Sequence, residues 1–131
     1  MSVRISFALA LAIAAAGCGN GGPQDAEQVP VFEEPPLASG RAIWTQVCRN
    51  CHLAGVAGAP ALRDYDAWQP RLAKGREALY ASALNGIPDA SGWRMPPRGG
   101  NPALSDEQVR RAVDFTLAAV EKLEVARRGR E

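Results

Sequence analysis

Residues 48–52 read Cys48-Arg49-Asn50-Cys51-His52. Two cysteines separated by two residues, with a histidine directly after the second, form the C-x-x-C-H string that attaches c-type haem. The spacing puts both sulfurs on one side of a helix end, where each thiol can add across a haem vinyl group as a thioether. The histidine then lies under the iron as its proximal ligand. Other chemistries fit less well. A zinc site needs about four ligands, and only these three candidates cluster here. A thioredoxin-like redox pair expects a βαβ setting, and no such pattern surrounds the string. A disulfide between Cys48 and Cys51 would leave His52 without a role.

A second iron ligand is sought further along the chain. Beyond a removable leader, described below, the one methionine is Met95, in Trp93-Arg94-Met95-Pro96-Pro97. A thioether is a soft ligand, and His/Met ligation raises the potential of a haem iron. The two prolines limit backbone motion and help to hold the sulfur in place. The alternative is a methionine that only packs over the haem and leaves the iron open. Lys74 and Lys122 are further candidates, in segments not shaped as ligand loops.

Around these residues the pattern is helical throughout. Ser39 is a candidate cap for a helix through Ile43, Trp44, Val47 and Cys48, which share one face. Leu53 to Pro60 is rich in Gly and Ala and reads as a loop. Ala67 to Leu72 is a short helical turn with Pro70 near its start. Arg76 to Asn85 is a helix with Leu79, Tyr80, Ala83 and Leu84 on one side and Gly86 as its stop. Residues 87–104 hold four Pro and three Gly, which predicts irregular structure. Ser105-Asp106-Glu107-Gln108 is a capping box. It opens a long helix whose apolar stripe is Val109, Ala112, Val113, Leu117, Val120 and Leu123. Nothing alternates with period two, so no strands are predicted, and there is no internal repeat.

The N-terminal part reads as export and attachment. Arg4 precedes a twelve-residue stretch, Ile5 to Ala16, apolar but for Ser6. It is too short to span a bilayer as a helix and suits a signal peptide. It ends in Ala15-Ala16-Gly17-Cys18, which resembles a bacterial lipobox with Ala15 in place of the usual Leu. Residues 1–17 are therefore read as the signal peptide and Cys18 as the lipidated first residue of the mature chain. The alternative is ordinary cleavage after the alanine run, leaving Cys18 a free thiol. Gly19 to Pro36 has three Gly, four Pro and four carboxylates, the composition of a flexible linker. Residues 18–37 form the tether, and residues 38–131 the folded domain. Val31 and Phe32 are the tether's candidate contacts with that domain. The expected location is the periplasmic side of a bacterial membrane.

Composition bounds what the domain can be. The chain has 131 residues, three cysteines, one histidine, 24 alanines and eight aromatic residues. That is one domain with a thin side-chain core, and small domains with thin cores need a staple or a bound group. Three cysteines do not make a complete disulfide framework, and one histidine does not supply a multi-histidine metal site. Residues 37–131 carry 14 basic and 10 acidic side chains, a balance of +4. This is too weak for nucleic acid, but it can steer the body toward an acidic protein surface.

From Gly40 to Thr116 the chain resembles the class I c-type cytochromes, in particular the short bacterial cytochrome c-five group. The matching strings are Gly40-x-x-Ile43-Trp44, Cys48-x-x-Cys51-His52, Gly55-Val56-Ala57-Gly58-Ala59-Pro60, Trp68-x-Pro70-Arg71, Leu84-Asn85-Gly86, Met95-Pro96-Pro97-x-Gly99-Gly100 and Ala112-Val113-Asp114-Phe115. Some members carry another cysteine pair after the methionine loop. Here that segment is Asn101-Pro102-Ala103-Leu104, so nothing covalent stiffens it.

The resemblance implies an all-α fold of four to five short helices wrapped around one covalent haem c. It implies that Gly40 lets the first helix cross the last against Phe115. It implies that the Pro60 carbonyl accepts a hydrogen bond from the ring of His52, and that Trp68 and Arg71 line the propionate end. Tyr80, Leu84 and Trp93 are expected in the haem pocket. Arg94 and Arg98 are candidates for docking an acidic partner. The expected function is one-electron transfer through a His52/Met95-ligated iron in a respiratory or photosynthetic chain, without enzyme activity or a small-molecule substrate. The expected partners are redox proteins or membrane respiratory complexes, met as a monomer. A gas-binding module with a labile methionine and a haem subunit of a membrane oxidoreductase are the alternatives.

Overall fold

A computed structural model describes residues 29–131. The segment expected to be a signal peptide, Cys18 and the first part of the expected tether lie outside the described residues. Five helices and one hairpin follow in order: α1 (Pro35–Gln46), α2 (Arg49–His52), α3 (Tyr65–Leu72), α4 (Arg76–Asn85), β1 (Ile87–Asp89), β2 (Gly92–Met95) and α5 (Asp106–Arg128). Short 3-10 turns occupy Val56–Gly58 and Pro97–Gly100.

The frame is the crossing of α1 and α5. A Cβ on Gly40 would lie 2.1 Å from the Arg111 carbonyl oxygen and 3.1 Å from Phe115 Cβ, so only glycine permits this approach. Next to the crossing, Trp44 and Phe115 are fully buried, with ring centroids 5.6 Å apart. The expected meeting of Gly40 and Phe115 is therefore present.

α5 begins at the predicted capping box: Ser105 Oγ accepts from the Gln108 N–H, and Gln108 Oε1 accepts from the Ser105 N–H. Its apolar surface is wider than one stripe. Phe115 and Ala119 are buried with the expected Val109, Ala112 and Val120. Val113 and Leu117 are half-buried and face a cavity. A helix that meets α1 on one side and a cavity on another needs two apolar faces.

Several local readings are corrected. α1 starts at Pro35 rather than after Ser39. Proline suits the first helical positions because their N–H groups lack partners in any case, and Ser39 Oγ donates inside the helix to the Pro36 carbonyl at 2.9 Å. α3 starts at Tyr65, where Asp64 Oδ1 accepts from the Ala67 N–H at 3.0 Å; Pro70 sits near its end, not its start. Residues 87–95 are not irregular but form an antiparallel hairpin with Pro88 opposite Trp93. Asp89 Oδ1 closes its turn by accepting from both the N–H and the hydroxyl of Ser91. A bulge between Ile87 and Pro88 accommodates the proline. Strands this short do not display a period of two.

The packed chain also begins earlier than residue 38. Val29 is buried, and the Phe32 ring meets Phe115 edge-on at 5.9 Å. Lys122 Nζ donates to the Val31 carbonyl at 3.1 Å and sits 4.7 Å from the Phe32 ring centre. Arg41 Nε donates to the Pro30 carbonyl at 3.2 Å. Phe32 is the packing contact, whereas the Val31 side chain is exposed. Among the described residues no helix is long and apolar enough to cross a membrane.

Candidate haem site

The C-x-x-C-H string begins just past α1, with Cys48 leading into the single turn of α2. The His52 N–H donates to the Cys48 carbonyl at 3.0 Å, which sets the turn. Cys48 is half-buried and Cys51 exposed, and no disulfide joins them. Burial pushes the Cys48 thiol up to about 11, so it stays protonated and neutral beside the cavity.

His52 is oriented by a hydrogen bond from behind. Its Nδ1 lies 3.0 Å from the Pro60 carbonyl oxygen. A carbonyl only accepts, so Nδ1 carries the proton and Nε2 keeps its lone pair. Burial holds the His52 pKa below its ordinary value, against the Pro60 bond and with help from the Arg71 charge. The ring is therefore neutral, the form that ligates metal. Trp68 braces the same segment: its Nε1 donates to the Ala61 carbonyl at 2.8 Å, and its ring lies 5.7 Å from that of His52. The indole N–H is thus already used and is not available to a propionate.

Met95 arrives from the far end of the chain at the end of β2, half-buried. Gly86 makes room for it. With φ at 76°, a Cβ there would lie 2.7 Å from the Met95 carbonyl oxygen and 2.8 Å from the Pro97 ring. After the prolines, Arg98 bridges the loop to α5, donating to the Leu104 carbonyl at 2.8 Å and to Asp106 Oδ1 at 2.6 Å. This guanidinium spans the segment that lacks a cysteine pair and supplies a non-covalent tie there. Arg98 is thus a loop fastener as well as a surface cation.

Cys48, Cys51, His52 and Met95 line one cavity of about 430 Å³, walled largely by apolar side chains from α4 and α5. Two thiols, a neutral imidazole with an unused nitrogen and a thioether on one apolar cavity are the donor set that a covalent haem requires. Residues 35–115 match the family model described as "Cytochrome C oxidase, cbb3-type, subunit III".

The chain belongs to the class I c-type cytochromes.

Its relatives agree. Cytochrome c-555 of Chlorobaculum thiosulfatiphilum is 41% identical over 80 residues, covering 61% of this chain and 92% of that one. Cytochrome c5 of Ectopseudomonas mendocina is 38% identical over 68 residues, covering 50% of this chain and 72% of that one. A chain from the crystal structure of an electron transfer complex of nitrite reductase with cytochrome c superposes with a TM-score of 0.55 at 41% identity, covering 63% of this chain and 94% of that one. The cytochrome carries a covalently bound c-type haem with iron and is a haem electron carrier.

Not every residue assigned to the pocket of this cytochrome lies in it. Trp68 and Arg71 line the cavity with Cys48, Cys51, His52 and Met95, and Pro60 stands behind His52 as well as bordering the cavity. Tyr80, Leu84 and Trp93 are not on its wall. Tyr80 faces α5, where its hydroxyl donates to Asp114 Oδ1 at 2.6 Å and the Arg110 guanidinium covers its ring at 5.3 Å. The phenol needs a polar partner when buried, and meeting that need turns Leu79, Ser82 and Ala83 toward the cavity instead. Leu79 and Ala83 share the apolar face of α4 with Tyr80 in the sequence, so periodicity alone offers all of them equally. Trp93 projects outward, 54% exposed.

Proposed function

We propose that the cytochrome is a one-electron carrier whose iron is held by His52 and Met95, working on the periplasmic side of a bacterial membrane with Cys18 as lipid anchor. The observation that carries this reading is the convergence of His52, with Nε2 unused, and Met95 on one apolar cavity that also holds both thiols. The bound haem supplies the Fe(II)/Fe(III) couple. The protein's part is to hold two neutral ligands in place in both oxidation states, so that little reorganises. Pro60 fixes the imidazole plane and raises its basicity. Gly86, the two prolines and the Arg98 tie hold the methionine loop. The carrier reading involves no small-molecule substrate and no enzyme activity of its own. The partners are redox proteins, in keeping with the nitrite reductase complex of the similar solved structure.

The test is Met95→Ala. The reduction potential is expected to fall and the long-wavelength iron–sulfur absorption band to vanish, while both thioether links remain. An unchanged band and potential would exclude Met95 as ligand. A second reading, a haem subunit of a membrane oxidoreductase complex, is favoured by the oxidase-subunit description of the family model. Stoichiometric co-purification with membrane oxidase subunits would select it.

A further inference from the structure

The Pro60 carbonyl holds the proton on His52 Nδ1, so whatever fixes that carbonyl bears on the iron ligand. The loop before it gives little support. Gly55, Ala57 and Gly58 all have positive φ, and side chains this small pack little.

The support lies after Pro60. The Leu62 N–H donates to the His52 carbonyl at 2.6 Å, and the Leu62 side chain is fully buried. Between the two, the Ala61 carbonyl accepts from the Asp64 N–H at 3.0 Å and from Trp68 Nε1 at 2.8 Å. The Asp64 bond closes a local turn. The Trp68 bond reaches seven residues along the chain and fastens that turn to the body of α3. Trp68 is itself buried, and its ring centroid lies 5.7 Å from that of His52. The Pro60 carbonyl belongs to the planar Pro60–Ala61 peptide unit, whose orientation is set by the torsions on either side of it. Fastening Ala61 fixes one of those torsions.

We propose that Trp68 is a positioning residue for the iron ligand. By holding the Ala61 carbonyl it keeps the Pro60 carbonyl on His52 Nδ1, and so sets the basicity of the imidazole and the potential of the bound haem. The proposal rests on His52 as iron ligand and replaces the propionate role that the resemblance implies for this tryptophan. A hydrogen bond accepted from Nδ1–H makes the ring a more basic ligand, which favours Fe(III). A looser bond favours Fe(II), so removing the indole donor raises the potential.

The test uses the haem-loaded full-length protein in its reduced, diamagnetic form, followed by NMR. In the parent, the Trp68 indole N–H resonance should stay constant from about pH 4 to about pH 8, because a carbonyl does not titrate there. A resonance that follows the titration of a propionate would place the bond on the haem and overturn the proposal. Trp68→Phe keeps a ring and removes the donor. The His52 Nδ1 proton is then expected to exchange with deuterium about tenfold faster, the scale of one hydrogen bond. At a fixed applied potential the Fe(II)/Fe(III) ratio should rise about threefold, since part of that bond strength reaches the iron. Trp44→Phe is the comparison. Trp44 Nε1 has no hydrogen-bond partner among the described residues, and the residue is fully buried at the α1–α5 crossing, away from the cavity wall. That variant should lower stability and leave exchange and ratio as in the parent. Unchanged exchange in Trp68→Phe, or the same change in both variants, would overturn the proposal. If Trp68→Phe does not load haem, the indole resonance of the parent decides. The iron–sulfur band of the parent reports the His52/Met95 reading, so the two fail separately.

Discussion

Glu124 shows how a single side chain can set the acid limit of this cytochrome. It is buried near the end of α5, yet it is charged, because Arg127 and Arg128 both donate to its carboxylate at 2.6–2.8 Å. Those two guanidinium groups hold its pKa down to about 2, from an ordinary 4.5. A carboxyl with a lower pKa when folded stabilises the fold in its ionised form. That contribution is complete above pH 4.5, fades as the pH falls, and is gone below about 2. Glu124→Gln removes it at every pH. The expected result is a parent melting temperature that drops more steeply than that of Glu124→Gln between pH 4.5 and 2. Parallel curves from thermal unfolding followed by circular dichroism would show that the triad does not stabilise the fold. The arginines are partly exposed, so the effect should shrink in high salt.

At the scale of elements, the α1–α5 crossing is the least tolerant feature. The Arg111 carbonyl and Phe115 Cβ leave no room for a methyl group on Gly40. Gly40→Ala must move one helix against the other, and overpacking of this kind costs about 1–3 kcal/mol or more. Helix propensity alone would favour alanine by about 1 kcal/mol, so the sign of the change separates the two effects. Denaturant unfolding of the haem-loaded protein should show a loss. A gain would mean that the helices are not in contact at this point. The hairpin is the other informative element. Its strands are built around a proline at a bulge and a glycine with φ at 124°. Local sequence there signals turns, and the turn is indeed what organises it.

For the whole molecule, the features legible in the sequence are those in which chemistry forces residue identity. The C-x-x-C-H string and the Ser105–Gln108 box are readable in this way, whereas the Gly40 crossing and the Pro60 contact come from the family resemblance. What escaped reading depends on how rigid elements rotate against one another. Tyr80 and Leu79 share one apolar face of α4, and Asp114 and Arg110 of α5 draw Tyr80 toward that helix. Trp93 carries no mark in the sequence that says outward. The Val29–Phe32 segment has linker composition, yet it packs, because Phe115 and Lys122 offer it a surface. Attachment to the membrane has its own test. Mass spectrometry of the membrane-extracted protein is expected to show a chain beginning at Cys18 with one haem and acyl chains. A mass with an unmodified Cys18 or another start would exclude the anchor.

The clasp at Val29–Phe32 also changes the length of the leash. With Cys18 as the point of attachment, ten residues, Gly19 to Gln28, separate it from the first packed residue, rather than the eighteen from Gly19 to Pro36. For a chain with the linker composition of this segment, reach scales as the square root of length, which for eighteen and ten residues gives about 23 Å and about 17 Å. The search volume shrinks accordingly. The local concentration of the haem body, as seen by a partner fixed in the same membrane, rises about twofold. On the proposed anchor, a few side-chain contacts far from the iron would set how often this carrier meets its neighbours.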